Sequence, residues 1–276
     1  MEASEWIGPV GDAWAAEWQR TDRSFADLGA MLNEHILAHL PADAARVVDI
    51  GCGAGSTAIA LATARPDTRI TGIDLSAPLV EVARERAAGL ANLDFLIAAA
   101  DEAVATLAPI DGYMSRHGVM FFDDPVAAFT KLRRAAAPRA PLLFSCFRSI
   151  AANPWAAELI AAATGGPPPV DAGTAPGPFA FADADHVVRL LRAAGWSPSA
   201  PQPVDYIYHA GAGADPVADA MAFFARIGPA ARLFRTADDA ERPAMVARLR
   251  ALLERHRSGD AVDFPAAAWL WYAIPD

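Results

Sequence analysis

Short apolar runs alternating with helix-spaced stretches set the rhythm of the first half of the chain. Arg46-Val47-Val48-Asp49-Ile50 has the length and composition of a buried strand, and it runs straight into a glycine turn at 51–55. Runs at 69–74, 94–98, 112–115 and 142–147 repeat the pattern, with Gly, Asp or Pro close to their ends. Between them, 56–64 and 77–88 are spaced as helices. Asp123-Asp124-Pro125 opens a further helix to about 136, with carboxylates at its positive end. Strands alternating with helices through short turns predict a parallel sheet with right-handed crossovers.

The flanks read differently. The first forty residues are helical in pattern: Trp14, Trp18, Phe25 and Leu28 mark an apolar stripe, and 31–40 is a second helix ended by Pro41. Beyond Phe147 come an alanine-rich helix (150–164), a Gly/Pro-rich loop (165–178) and a helix (183–194) closed by Gly195. A strand (202–208), two helices (215–227 and 238–256) and a last aromatic strand (267–274) follow. These elements predict an α/β fold with a seven-stranded, mostly parallel sheet flanked by helices. The expected organisation is an N-terminal helical cover (1–45), a core (46–147) and a remainder (148–276). That remainder completes the sheet and carries helical cap insertions at about 148–182 and 210–265.

Composition narrows the partners. With 23 Lys and Arg against 33 Asp and Glu, the net charge of -10 disfavours a phosphate backbone, whose binding needs basic clusters. The basic run Lys131, Arg133, Arg134 lies on a predicted helix and reads as a solvated face. Two cysteines, Cys52 and Cys146, build neither a disulfide framework nor a cysteine zinc site. The N-terminus lacks a signal-peptide layout and no run reaches membrane-span length, so the cytoplasm is the expected compartment and no membrane span is expected.

The chemistry concentrates in Val47-Val48-Asp49-Ile50-Gly51-Cys52-Gly53-Ala54-Gly55. Glycines at a strand-to-helix corner let backbone N–H groups approach a ligand. In dinucleotide enzymes the spacing is G-x-G-x-x-G and the helix N-terminus faces a pyrophosphate. Here it is G-x-G-x-G, with Asp49 just ahead. A carboxylate there repels a pyrophosphate and attracts an ammonium, which S-adenosylmethionine (SAM) carries and NAD does not. Asp74, ending the second strand, is placed to accept both hydroxyls of a ribose.

These residues resemble the class I SAM-dependent methyltransferases with a Rossmann-like fold, and among them small-molecule enzymes of the ubiquinone/menaquinone-biosynthesis type. The likeness runs from about Val47 to Phe147 and includes Gly72-Ile73-Asp74-Leu75-Ser76 and the acid Asp101. The Lys-Pro-Gly-Gly turn of that family is replaced here by Ala137-Pro138-Arg139-Ala140. The resemblance implies SAM as cofactor. Its methionine part would be held by Asp49 and the turn (Gly51, Cys52, Gly53, Gly55), its ribose by Asp74, and its adenine by Leu75, Ala100 and Asp101. In this fold His117 follows the fourth strand, near the departing methyl, where it can act as a base or serve the structure alone. Arg116 either fixes an anionic group of the substrate or lines the cofactor site with its backbone. Trp14 either walls that site or packs in the core.

The implied activity is in-line methyl transfer to a small-molecule acceptor. Phe179, Phe181, Phe223 and Phe224 in the insertions suggest an apolar or aromatic one. Two alternatives stand beside it: an NAD(P)-dependent Rossmann oxidoreductase, which lacks the expected glycine spacing and Tyr-x-x-x-Lys pair, and a SAM-binding module without turnover. The acceptor atom and the oligomeric state leave no mark in the sequence.

Overall fold

The computed structural model describes residues 3–170 and 173–276. Met1 and Glu2 of the expected helical N-terminus, and Asp171 and Ala172 of the expected loop, lie outside the described residues. The chain opens with α1 (Ala3–Trp6), α2 (Pro9–Ala16), α3 (Trp18–Ser24) and α4 (Ala26–His39), then enters β1 (Arg46–Ile50) and α5 (Ser56–Ala64). The alternation continues through β2 (Arg69–Asp74), α6 (Ala77–Arg86), β3 (Leu93–Ile97), α7 (Ala100–Leu107), β4 (Gly112–Arg116), α8 (Pro125–Ala135) and β5 (Leu142–Phe147). After β5 come α9 (Pro154–Thr164), α10 (Ala184–Ala193), β6 (Trp196–Pro198) and β7 (Gln202–Ala212). The chain closes with α11 (Pro216–Phe224), α12 (Pro229–Thr236), α13 (Arg242–Arg255), β8 (Arg257–Ser258) and β9 (Ala261–Pro275).

The sheet runs β3-β2-β1-β4-β5-β9-β6, with β7 and β8 also pairing with β9. β1 to β5 are parallel, and β9 is antiparallel to every strand it meets. The mostly parallel α/β sheet is therefore as the sequence predicts, but among the described residues it has nine strands, not seven. β6 is a three-residue edge strand ending in Pro198, and β8 is a two-residue hairpin arm; neither is long enough to show an alternating pattern. β9 also begins six residues earlier than the aromatic run suggests, because Ala261 to Leu270 pairs with β7.

Local signals fix the helix starts. Ser76 Oγ accepts from Leu79 N at the start of α6, and Asp124 Oδ1 accepts from Ala127 N before Pro125 at the start of α8. One sheet face is covered by α8. There Phe144 stacks on Trp271 with centroids 5.8 Å apart, and the Trp196 indole donates to Phe129 O. On the opposite face α4 buries Leu28, Leu32 and Ile36 against β4, β5, β7 and β9. No helix among the described residues is long and apolar enough to cross a membrane.

Candidate functional site

Asp49 lies one residue before the end of β1, and the turn that follows bends back over it. Gly51, Gly53 and Gly55 all have positive φ (63°, 53° and 81°). At Gly51 a Cβ would sit 3.0 Å from Gly118 Cα, so the turns after β1 and β4 touch. At Gly53 a Cβ would meet nothing within 4 Å: this glycine faces open space. Cys52 is buried inside the corner, its N–H donating to Ile73 O, and burial pushes its thiol well above the ordinary range. A thiol so held is not a nucleophile.

Asp49 is 1% exposed, and neither carboxylate oxygen has a hydrogen-bond partner. Burial is the main reason its pKa is raised to about 7. Arg116 and the nearby Ala58 N–H, which falls short of hydrogen-bond geometry, pull it down, and Asp74 pushes it up. An ionised carboxylate without hydrogen-bond partners is costly in such a place. Asp74 is half-buried at the end of β2. Its Oδ2 accepts from Gly53 N (2.8 Å) and its Oδ1 from Ser76 N (2.9 Å); burial raises its pKa and these N–H groups lower it. It thus ties the glycine turn to the start of α6, with Leu75 half-buried beside it.

The other expected cofactor residues lie on neighbouring strand ends. Ala100 and Asp101 open α7, where Asp101 Oδ2 accepts from Lys131 Nζ at 2.7 Å. Trp14 is half-buried on α2, its ring 5.7 Å from Trp6, which meets Phe121 edge-on just after β4. α2 presses on the start of α6, since a Cβ at Gly11 would fall 2.5 Å from Ser76 Oγ. The N-terminal helices therefore lie over the carboxyl ends of β2 and β4.

The sheet register joins these groups to others that local sequence patterns do not reveal. Asp49 lies opposite both Gly72 and Met114, Arg116 opposite Ser145, Phe147 opposite Ala268, and Ala268 opposite Val204. Residues opposite across a ladder, or two apart along a strand, share a face. Asp49, Asp74, Arg116, Ser145, Phe147, Tyr206 and Tyr208 are therefore on the α4 face of the sheet, towards its carboxyl ends.

His117 follows at φ 61°, a left-handed conformation rare outside glycine. It is 8% exposed, with Nδ1 3.0 Å from Ser145 Oγ and Nε2 without a partner. Burial lowers its pKa to about 3, so the imidazole is neutral around pH 7. Its ring lies 4.1 Å from that of Phe147 and edge-on to Phe25. Tyr206 is also buried with its hydroxyl unpartnered. Tyr208, which stacks on Trp155 at 4.8 Å, extends the aromatic wall.

Asp22 on α3 is a site residue without a local signal. It takes Arg86 at 2.5 Å and Arg116 at 3.1 Å, while Arg86 also donates to Ala54 O in the glycine turn. Asn153 is another: it bonds both the N–H and the carbonyl of Ala267 and receives the Trp155 indole N–H, which fixes that ring. Of the expected acceptor-side phenylalanines, Phe179 reaches Phe147 and Trp155. Phe181 instead packs on Phe129 and Phe144, on the other face. Two surface clefts of about 440 and 360 Å³, beside His35 and beside Arg248, lie away from all these groups.

Residues 47–139 match the methyltransferase domain family. A trans-aconitate 2-methyltransferase of Azoarcus sp. strain BH72 is 30% identical over 159 residues, 54% of this chain and 61% of that protein. Another, from Paracidovorax citrulli, is 45% identical over 65 residues, 23% of this chain and 25% of that protein. The matched stretch thus spans less than two thirds of these relatives' own length. Among solved structures, the YcgJ protein of Bacillus subtilis is similar in fold, with a TM-score of 0.56 at 18% identity, covering 88% of this chain and 97% of that one. Neither sequence relative supports the narrower likeness to the ubiquinone and menaquinone enzymes. Residues 47–139 are thus similar to a methyltransferase domain, and the sequence relatives that extend the similarity are themselves methyltransferases.

Proposed function

We propose that the protein transfers the methyl group of SAM to a small-molecule acceptor. The observation that carries this reading is the Asp49 carboxylate, buried and partnerless beneath a glycine turn that opens outward at Gly53. An ammonium satisfies that carboxylate; a diphosphate does not. Asp49 holds the amino group of the cofactor, and the backbone of Gly51, Cys52, Gly53 and Gly55 lines its amino-acid end. Asp74 accepts from the ribose hydroxyls, Leu75 packs on the adenine, and Ala100 and Asp101 meet the adenine edge, with Asp101 Oδ1 free of Lys131. Trp14 and the cover 1–45 close the site over the core 46–147, and helices from 148–182 and 210–265 enclose the acceptor.

SAM supplies a methyl group already activated by the sulfonium charge, so the protein's work is alignment and exclusion of water. Arg116 and His117 stand at the end of β4, next to the glycine turn, and face the acceptor. For an acceptor that must lose a proton, His117 Nε2 is the group placed to receive it. As a weak base it does so only as the new bond forms, when a methylated hydroxyl has become strongly acidic.

Incubation with methyl-labelled SAM and a cell extract tests the reading. Label is expected in a low-mass product. Label confined to protein or nucleic acid, or no transfer despite SAM binding, overturns it.

A further inference from the structure

The groups on the acceptor side carry information about the acceptor itself, given methyl transfer as proposed above. Two buried polar atoms there, Tyr206 Oη and His117 Nε2, have no partner. Such atoms cost free energy unless a ligand meets them. Both belong to the face that carries Arg116, and Phe25 joins them: it lies under the Arg116 guanidinium at 5.5 Å and edge-on to both His117 and Tyr208 at 5.4 Å.

Charge sets the polarity of the missing partner. Arg116 and Arg86 share the single carboxylate of Asp22, which leaves one positive charge over. Asp49 is committed to the cofactor ammonium. The Tyr206 phenol is kept protonated by burial and offers its O–H as a donor. One guanidinium and one hydroxyl donor, walled by flat rings, match one anionic group on a flat apolar body.

We infer that the acceptor is a planar, apolar monocarboxylic acid, anchored through one carboxylate oxygen by Arg116 and Tyr206 and methylated on the other. The chemistry closes without a base. The carboxylate oxygen forms a bond to the methyl carbon as the carbon–sulfur bond breaks, the electron pair stays on sulfur, and the products are a methyl ester and S-adenosylhomocysteine. No proton has to leave. A phenol or amine would have to lose one to His117, whose burial makes it a poor acceptor. A tricarboxylate would bring three negative charges to a site with one to offset them.

The test is calorimetry on the full chain saturated with S-adenosylhomocysteine, whose own binding is measured first; failure at that step counts against methyl transfer rather than against the acceptor class. The probes are benzoate, cinnamate and sorbate, each against its neutral amide, with trans-aconitate as the polyanion. At least one acid is expected to bind about tenfold or more tightly than its amide. Tyr206→Phe should remove most of that preference while leaving S-adenosylhomocysteine affinity unchanged. Amides binding as well as acids, trans-aconitate binding more tightly than every monoacid, a preference untouched by Tyr206→Phe, or no acid binding at millimolar concentration each overturn the inference.

Discussion

Replacing Asp49 by Asn should make the protein more stable and a worse SAM binder at once. Burial raises the Asp49 pKa from an ordinary 3.8 to about 7 in the folded chain. A group that holds its proton more tightly when folded loses stabilisation as pH rises from its unfolded to its folded value. Above pH 7 the fold therefore carries an ionised, partnerless carboxylate at a cost of up to about 4 kcal/mol. Asn has the same shape and no charge. At about 2–4 °C per kcal/mol for a chain of this size, the variant should melt up to about 8–16 °C higher at pH 8, the gain fading towards pH 4. His117 acts with the opposite sign: its pKa falls from 6.5 to about 3, so its contribution is present above 6.5 and lost as pH falls towards 3. The two offset each other in the wild type between about pH 4 and 6.5. The Asn variant should thus lose stability on acidification more steeply than its parent. Binding moves the other way. Removing one member of a buried ion pair costs about 3–5 kcal/mol, so SAM affinity should drop at least about 100-fold. Wild-type affinity should also rise by up to about tenfold per pH unit below 7 and level off above, a slope absent in the variant. Calorimetric melting at pH 5 and 8 with SAM titrations over the same range measures all of this. A variant that melts lower than wild type at pH 8, or binds SAM within about threefold of it, refutes the reasoning.

Three further outcomes follow from the site. Gly118→Ala places a Cβ 2.5 Å from Ile50 O and should cost about 1–3 kcal/mol in urea unfolding, whereas Gly53→Ala meets no atom and should weaken SAM binding with a cost of only about 1–2 kcal/mol from its positive φ. The wild-type rate should show no histidine inflection near pH 6.5; an inflection there that vanishes in His117→Ala contradicts the buried neutral imidazole. Asp22→Asn frees Arg86 and Arg116 together, so hydrogen exchange in α2 and α3 should quicken and SAM affinity fall about fivefold to tenfold; unchanged exchange would show that the cover is held by apolar packing alone.

The parallel half of the sheet was legible because each strand is a compact apolar run between breakers, and β1, β2 and β5 begin and end where the pattern does. The glycine turn was legible for the same reason: the spacing of Gly51, Gly53 and Gly55 is itself the geometry. Elements at the edges were not. Trp196-Ser197-Pro198 becomes β6 only because it pairs with the end of β9, and Ala100–Leu107, opening with Asp101 and Glu102, reads as an acidic turn until α8 packs on it. The N-terminal stripe of Trp14, Trp18, Phe25 and Leu28 does not share one helix: the chain breaks at Glu17 and Phe25. Site residues divide the same way. Asp49 and Asp74 announce themselves by their place at strand ends. The Asp22 bridge spans 64 and 94 residues, and the orphaned Tyr206 hydroxyl and the positive φ of His117 are tertiary facts that no local period encodes.

Everything functional here depends on the corner after β1 receiving a cationic amino acid rather than a diphosphate. Parallel calorimetric titrations of the full chain with SAM and with NAD, at pH 8 where Asp49 is ionised, measure that directly. Saturable SAM binding in the micromolar range with no heat from NAD is the expected result. Saturable NAD binding without SAM binding would contradict the account at its root.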